Sequence, residues 1–194
     1  MSPETYEKLL EHLSGPYRAI SVAAYWTGCR QGELRAWKWE HVDMNRRMVL
    51  IPDSKSGRPR VVPIADAVWR ELLLLGMRRD RDWPGSPWAF TLDGNAPLAK
   101  GALRSAWLRA CKNAGLPRLR FHAFRHTAIS EMRAAGVEEG AAMAITGHKT
   151  RAVFDRYGIQ PEAKLREAIE KRESRIRTKY GQSEKNEVTK GAVQ

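Results

Sequence analysis

Residues 46–64 read RRMVLIPDSKSGRPRVVPI. Two runs rich in branched aliphatic side chains, Met48 to Ile51 and Arg60 to Ile64, flank the polar stretch DSKSG, which is turn chemistry. Runs of this kind on either side of a turn predict an antiparallel hairpin, with Lys55 at or beside its tip. Outward from this hairpin the periodicity is that of helices, so the hairpin decides the fold class: mainly α with a small antiparallel β-sheet (α+β).

Upstream, Ser2 and Pro3 form an N-cap and first-turn pair that opens an amphipathic helix reaching about Leu13. PYRAISVAAYWTG (16–28) is apolar on nearly every side, which predicts a buried helix stopped at Gly28. GELRAWKWEHV (32–42) predicts another short helix. Downstream, helical spacing returns at 65–77, residues 82–87 are loop, and WAFTL (88–92) predicts a minor strand. Helices are then expected at about 99–114, 122–135 with Gly136 as the residue after the cap, 138–145 and 150–157. From Pro161 a charged helix follows, whose apolar stripe is thin: Leu165, Ala168, Ile169 and Ile176. The last residues, 179–194, have the composition of a disordered tail.

The chain has 194 residues, 42% hydrophobic and 29% charged, which suits one globular domain with a core of its own. Thirty-four Lys and Arg against 22 Asp and Glu give a formal charge of +12. Such an excess favours a polyanionic partner, because neutralising phosphates releases condensed counterions. A solvated basic surface, RNA or ribosome association, or an anionic membrane surface are the competing readings of charge alone. Cys29 and Cys111 lie far apart with no metal-ligand spacing, so neither a disulfide framework nor a zinc site is expected, and a reducing cytosol fits. The N-terminus lacks an apolar signal region and no run approaches the ~18 apolar residues of a spanning helix. A cytoplasmic protein that is neither exported nor membrane-bound is expected.

Several residues carry chemistry. His122 and Arg125, at i and i+3 in FHAFRHTAIS (121–130), leave one side of a helix and suit a phosphate, although H-x-x-R is common by chance and the pair taken alone reads first as surface residues. His148 follows Gly147, and its plain alternative is a loop or capping histidine. Tyr157 needs a base or a cationic field to act as a nucleophile, since a phenol ionises near pH 10, and a lone tyrosine is otherwise packing. Arg30 sits at a junction between helices where a guanidinium can fork onto two phosphate oxygens, with Glu33 to hold it; the plain alternative is a structural ion pair. Lys55 is either a solvated turn lysine or a proton donor to a leaving oxygen.

Taken in order, TGCRQGELRAWKWEHVD (27–43), DSKSGRPRVVPI (53–64), FHAFRHTAIS (121–130) and TGHKTRAVFDRYG (146–158) resemble the signature blocks of the tyrosine recombinases, the phage integrase family, over residues from about 3 to about 170. The resemblance implies the tyrosine recombinase catalytic-domain fold for residues 1–178. It implies that Arg30 is the first catalytic arginine, Lys55 the hairpin lysine, His122 and Arg125 the H-x-x-R pair, His148 the second histidine and Tyr157 the nucleophile, with Glu33 the acidic companion of Arg30. The chemistry implied is site-specific breakage and rejoining of double-stranded DNA through a 3′-phosphotyrosyl intermediate, without ATP, metal or cofactor. Arg30, Arg125 and His148 would stabilise the phosphate, His122 would take the tyrosine proton and Lys55 would protonate the leaving 5′-oxygen.

Two positions depart from the family pattern. Ala123 stands where aspartate is common and Thr146 where leucine commonly precedes Gly-His, each expected to loosen local support. The helical core-binding domain that precedes the catalytic domain in the family is not expected in these residues. A homotetramer on synapsed DNA, with monomers in solution and an accessory directionality factor, is also implied. The alternatives are a type IB topoisomerase-like DNA relaxation and a non-catalytic DNA-binding remnant.

Overall fold

The computed structural model describes residues 1–52, 59–148, 150, 169, 170 and 172. Residues 1–157 form one compact unit, and residues 158–194 form a second whose described residues, Ile169, Glu170 and Arg172, are helical. Within the first unit the chain runs α1 (Pro3–Glu11), α2 (Gly15–Thr27), α3 (Gln31–Arg35), β1 (Val42–Asp43), β2 (Met48–Ile51), β3 (Arg60–Pro63), α4 (Asp66–Asp82), α5 (Lys100–Asn113), α6 (Ala123–Ala134) and α7 (Glu139–Thr146). It is mostly helical with a small antiparallel sheet, as its sequence pattern implies.

The apolar helix α2 lies at the centre, packed against α3, α4, α5 and α6. Its buried positions, including Ala19, Ile20, Val22, Ala23 and Ala24, fall on several sides of the helix, so no single polar face remains. Around it Tyr6 and Tyr25 stack at 3.8 Å, and Phe124 of α6 meets both rings edge-on. Burying aromatic side chains of this size supplies much of the apolar area removed from water in a small domain.

The hairpin forms in the register that its alternation dictates, with Val49 opposite Val62 and Leu50 opposite Val61. Val49, Ile51 and Val62 enter the core, while Leu50 and Val61 face outward. Lys55 lies outside the described residues. A third strand, β1, pairs with β2; two residues long, it is too short for periodicity to reveal.

Three expectations are corrected. The helix expected over 32–42 ends at Arg35, because Trp37 turns into the core and Trp39 donates its N–H to the Pro87 carbonyl; only a 3-10 turn, Trp39–His41, follows. WAFTL makes no strand. Trp88 forms an isolated bridge with Lys38, and Ala89 and Phe90 bond instead to Trp37 and Leu98. Finally, α4 runs on to Asp82, where Arg78 and Asp82 pair one turn apart. The helices expected at 99–114, 122–135 and 138–145 are present within a residue or two, and Gly136 takes the left-handed conformation. Apart from Thr150, the helix expected at 150–157 lies outside the described residues, as does the tail at 179–194.

Candidate active site

Helix α2 ends at Gly28 and α7 at Gly147, both left-handed, at φ +63° and +70°. Neither can carry a side chain cheaply. A Cβ on Gly28 would meet Ala128 Cβ at 3.1 Å and Thr146 Cγ2 at 3.2 Å, and one on Gly147 would meet the Arg60 guanidinium at 2.7 Å. Close approach at these two caps brings the C-terminal ends of α2 and α7 together with the start of α3, and Arg30, Arg125 and His148 converge on that junction.

Arg125, in the first turn of α6, is 2% exposed. Its Nη1 donates to the Gly28 carbonyl at 2.7 Å and to the Thr146 carbonyl, the last turns of α2 and α7. Its Nη2 lies 3.1 and 2.9 Å from the two ring nitrogens of His148. So even an approach sets the guanidinium against the ring rather than in line with one lone pair. Unsatisfied carbonyls at a helix C-terminus carry partial negative charge, which makes these ends natural seats for arginine.

Arg30 caps α3. Its Nη1 donates to Glu33 at 3.0 Å and its Nη2 to the Gly147 carbonyl at 3.0 Å, while Glu33 accepts the Arg30 backbone N–H at 2.9 Å. The same carboxylate takes Arg60 Nη2 at 2.6 Å and Nη1 at 3.2 Å, so one buried Glu33 serves two guanidinia. Burial opposes ionisation of Glu33, but the hydrogen bonds from Arg60 and Arg30 outweigh it and hold the carboxyl below its ordinary value.

Arg60 was not among the residues singled out from sequence. Besides Glu33 it reaches the Ile145 carbonyl at 3.1 Å and the buried Cys29 sulfur at 3.6 Å. A signal did exist: Arg60 begins β3 two residues before the buried Val62, so alternation points it to the core side. An inward arginine requires a partner, and Glu33 is that partner.

His148 is 8% exposed. Burial first, then the charges of Arg125 and Arg30, push its imidazole down to about 4, so it is neutral at physiological pH. Its Nδ1 lies 2.8 Å from the Thr146 hydroxyl. Thr146 therefore supplies a polar contact to His148, and the expectation that this departure loosens local support is corrected. Ala123 simply starts α6.

His122 stands just before α6, exposed, with its ring 5.1 Å from that of His126 and edge-on to it. Partial desolvation, then His126, Arg125 and Arg30, lower its pKa. It opens onto a pocket of about 650 Å³ whose lining includes Gln31, Lys100, Arg104, Arg118 and Arg120. Arg30, Glu33, Arg125 and His148 are thus brought together, with His122 at their border; Tyr157 and Lys55 lie outside the described residues. Two guanidinia and an imidazole around one point, held by backbone carbonyls and one carboxylate, can receive a tetrahedral oxyanion.

The family model described as the phage integrase family matches residues 1–161. The chain belongs to the phage integrase family. Among its curated relatives, the shufflon-specific DNA recombinase of Escherichia coli is 31% identical over 134 residues, covering 68% of this chain and 31% of that protein. The tyrosine recombinase XerA of Pyrococcus horikoshii is 27% identical over 158 residues, covering 79% of this chain and 54% of its own. The chain therefore spans between about a third and about half of the length of these two phage integrase family relatives. Among solved structures, the XerA recombinase superposes with a TM-score of 0.74 at 22% identity, over 89% of this chain and 62% of that one. The XerH site-specific recombinase bound to its difH substrate in a pre-cleavage complex gives 0.70 at 20% identity, over 87% and 53%. These likenesses show that the fold is shared. No helix among the described residues is long and apolar enough to cross a membrane.

Proposed function

We propose that this phage integrase family member is a site-specific DNA recombinase that breaks and rejoins duplex DNA. The observation that carries this reading is the convergence of Arg30, Arg125 and His148 on the junction of two helix C-termini. In this reading the three groups neutralise charge building on the non-bridging oxygens of a phosphodiester, a role metal ions fill in many other phosphoryl transferases. Tyr157 attacks the phosphorus, forming a 3′-phosphotyrosyl bond and releasing a 5′-hydroxyl, so the bond energy is conserved and neither ATP nor a metal is consumed or required. His122, exposed and short of protons because its pKa is lowered, is suited to take the phenol proton. Lys55 returns a proton to the leaving 5′-oxygen. Glu33 holds Arg30 in place.

The net charge of +12 and the cation-lined pocket beside His122 support double-stranded DNA as partner. The catalytic unit in this reading extends to residue 178, and exchange between two duplexes calls for four protomers on synapsed DNA, with an accessory protein setting direction.

The test is covalent trapping. Full-length protein is incubated with a pool of end-labelled nicked duplexes whose cleaved strand diffuses away, then denatured. Label migrating with wild type and absent from Tyr157→Phe is the expected result, and sequencing the trapped strands reads the site. Duplex binding without an adduct in either protein would instead favour a DNA-binding remnant.

A further inference from the structure

Thr146 is the last residue of α7, and its hydroxyl lies 2.6 Å from the Ala142 carbonyl and 2.8 Å from His148 Nδ1. A hydroxyl has one proton. Two oxygens 2.6 Å apart with no proton between them repel, and a carbonyl cannot donate, so the threonine proton lies on the Ala142 side. What remains toward His148 is a lone pair. The ring atom facing it must then bring the hydrogen: Nδ1 is protonated and donates to Thr146.

We propose that Thr146 is a positioning residue that fixes His148 as its Nδ1–H tautomer and sets the plane of the ring. The arrangement is locked from several sides. Thr146 is fully buried, its methyl packs beside Gly28, and its own carbonyl accepts Arg125, so the residue that orients the imidazole also anchors the guanidinium lying against it. The wide reach of a leucine side chain would fill the space but supply no acceptor.

One chemical consequence rests on the recombinase reading. In the neutral Nδ1–H form, Nε2 carries a lone pair and repels an anionic oxygen. His148 can hydrogen-bond a phosphate oxygen through Nε2 only after gaining a proton, which then sits on Nε2 while Nδ1–H stays on Thr146. Anion binding is thereby tied to uptake of one proton at His148. The negative phosphate opposes the burial, and the charges of Arg125, Arg30, His122 and Arg60, that keep the free imidazole neutral, so the same step supplies both ligand and driving force.

The experiment uses full-length protein with 15N-labelled histidine. Long-range proton–nitrogen correlation spectra near neutral pH distinguish the tautomers, and loss of a signal in His148→Gln assigns the residue. The expected result is Nδ1–H in wild type and in Thr146→Ser, which keeps the hydroxyl, and a shift to the Nε2–H form or a mixture in Thr146→Val, which keeps the branched shape. An Nε2–H wild type, or a Thr146→Val spectrum identical to wild type, overturns the assignment. A purely structural threonine would lower the melting temperature without moving these signals. In the trapping assay at saturating DNA, Thr146→Val is expected to form adduct about tenfold more slowly with DNA affinity nearly unchanged. If the tautomer moves as expected but wild type forms no adduct, the recombinase reading fails and the positioning role stands.

Discussion

Arginine and carboxylate meet in two regions of this molecule with opposite meaning. At the end of α4, Arg78, Arg79 and Arg81 pair with Asp80 and Asp82 on the surface, neighbours in sequence and open to water. At the junction of α2, α3 and α7, Arg30, Arg60 and Arg125 reach across up to 117 positions of chain to one buried carboxylate and to backbone carbonyls. The surface set resembles what any charged helix end assembles, and such pairs contribute little. In the second set Arg60, Arg125 and Glu33 have exchanged water for fixed partners, and Arg30, itself half-exposed, is tied to the same buried carboxylate, so each member depends on the others. Density of charge does not separate the two regions; the identity of the acceptors does.

The difference is broken most severely at Glu33. Glu33→Gln removes the one carboxylate shared by Arg30 and Arg60 and leaves buried guanidinium charge uncompensated, an expected loss of about 3 kcal/mol in urea unfolding. Arg125→Lys comes next. A lysine has one nitrogen where the guanidinium has two, so it can serve the Gly28 and Thr146 carbonyls only by giving up the contact that Nη2 makes with His148, and stability should fall by about 1–3 kcal/mol. In the same variant adduct formation should slow by about 10²–10³, the scale of losing one oxyanion donor.

Acid sharpens the contrast further. His148 is neutral when folded and titrates about 4, against an ordinary 6.5 in the unfolded chain. Between these values the unfolded chain binds more protons, so stability drops as pH falls from 6.5 toward 4. Glu33, held below its ordinary 4.5, adds a second loss as pH falls through its folded value. Urea midpoints across this range should decline in wild type, and His148→Gln should shrink the upper part of the decline, to which His122 also contributes, while leaving the lower. The smallest effect belongs to the surface: Arg81→Ala should leave the melting temperature unchanged, and a clear drop there would erase the distinction between the regions.

Much of this was readable in residues. The hairpin announced itself because its two strands each have one buried and one outward face, and α2 because only Arg18 and Ser21 interrupt its apolar run before Thr27. Arg30, Glu33, Arg125 and His148 each had a plain alternative when read alone and were joined into one site by the resemblance to the family's blocks; the structure brings these four together, while Lys55 and Tyr157 fall outside the described residues. Arg60 was missed because a strand residue beside a polar turn looks solvated until its register is known. Trp37 and the WAFTL segment misled for a related reason: their backbone partners lie in distant loops, and local periodicity carries no trace of such pairing. The Thr146 hydroxyl was invisible for want of the geometry that puts its one proton on Ala142.

The acceptors that hold the three arginines include the main-chain carbonyls of Gly28, Ile145, Thr146 and Gly147. Every amino acid brings a carbonyl, so these anchors survive any substitution that leaves the helix ends in place. In a saturation library scored for folding, Ile145 should accept many side chains while Arg125 and the two capping glycines accept almost none. Tolerance to sequence drift would then follow the path of the backbone, and two residues joined by one hydrogen bond would evolve under very different constraint.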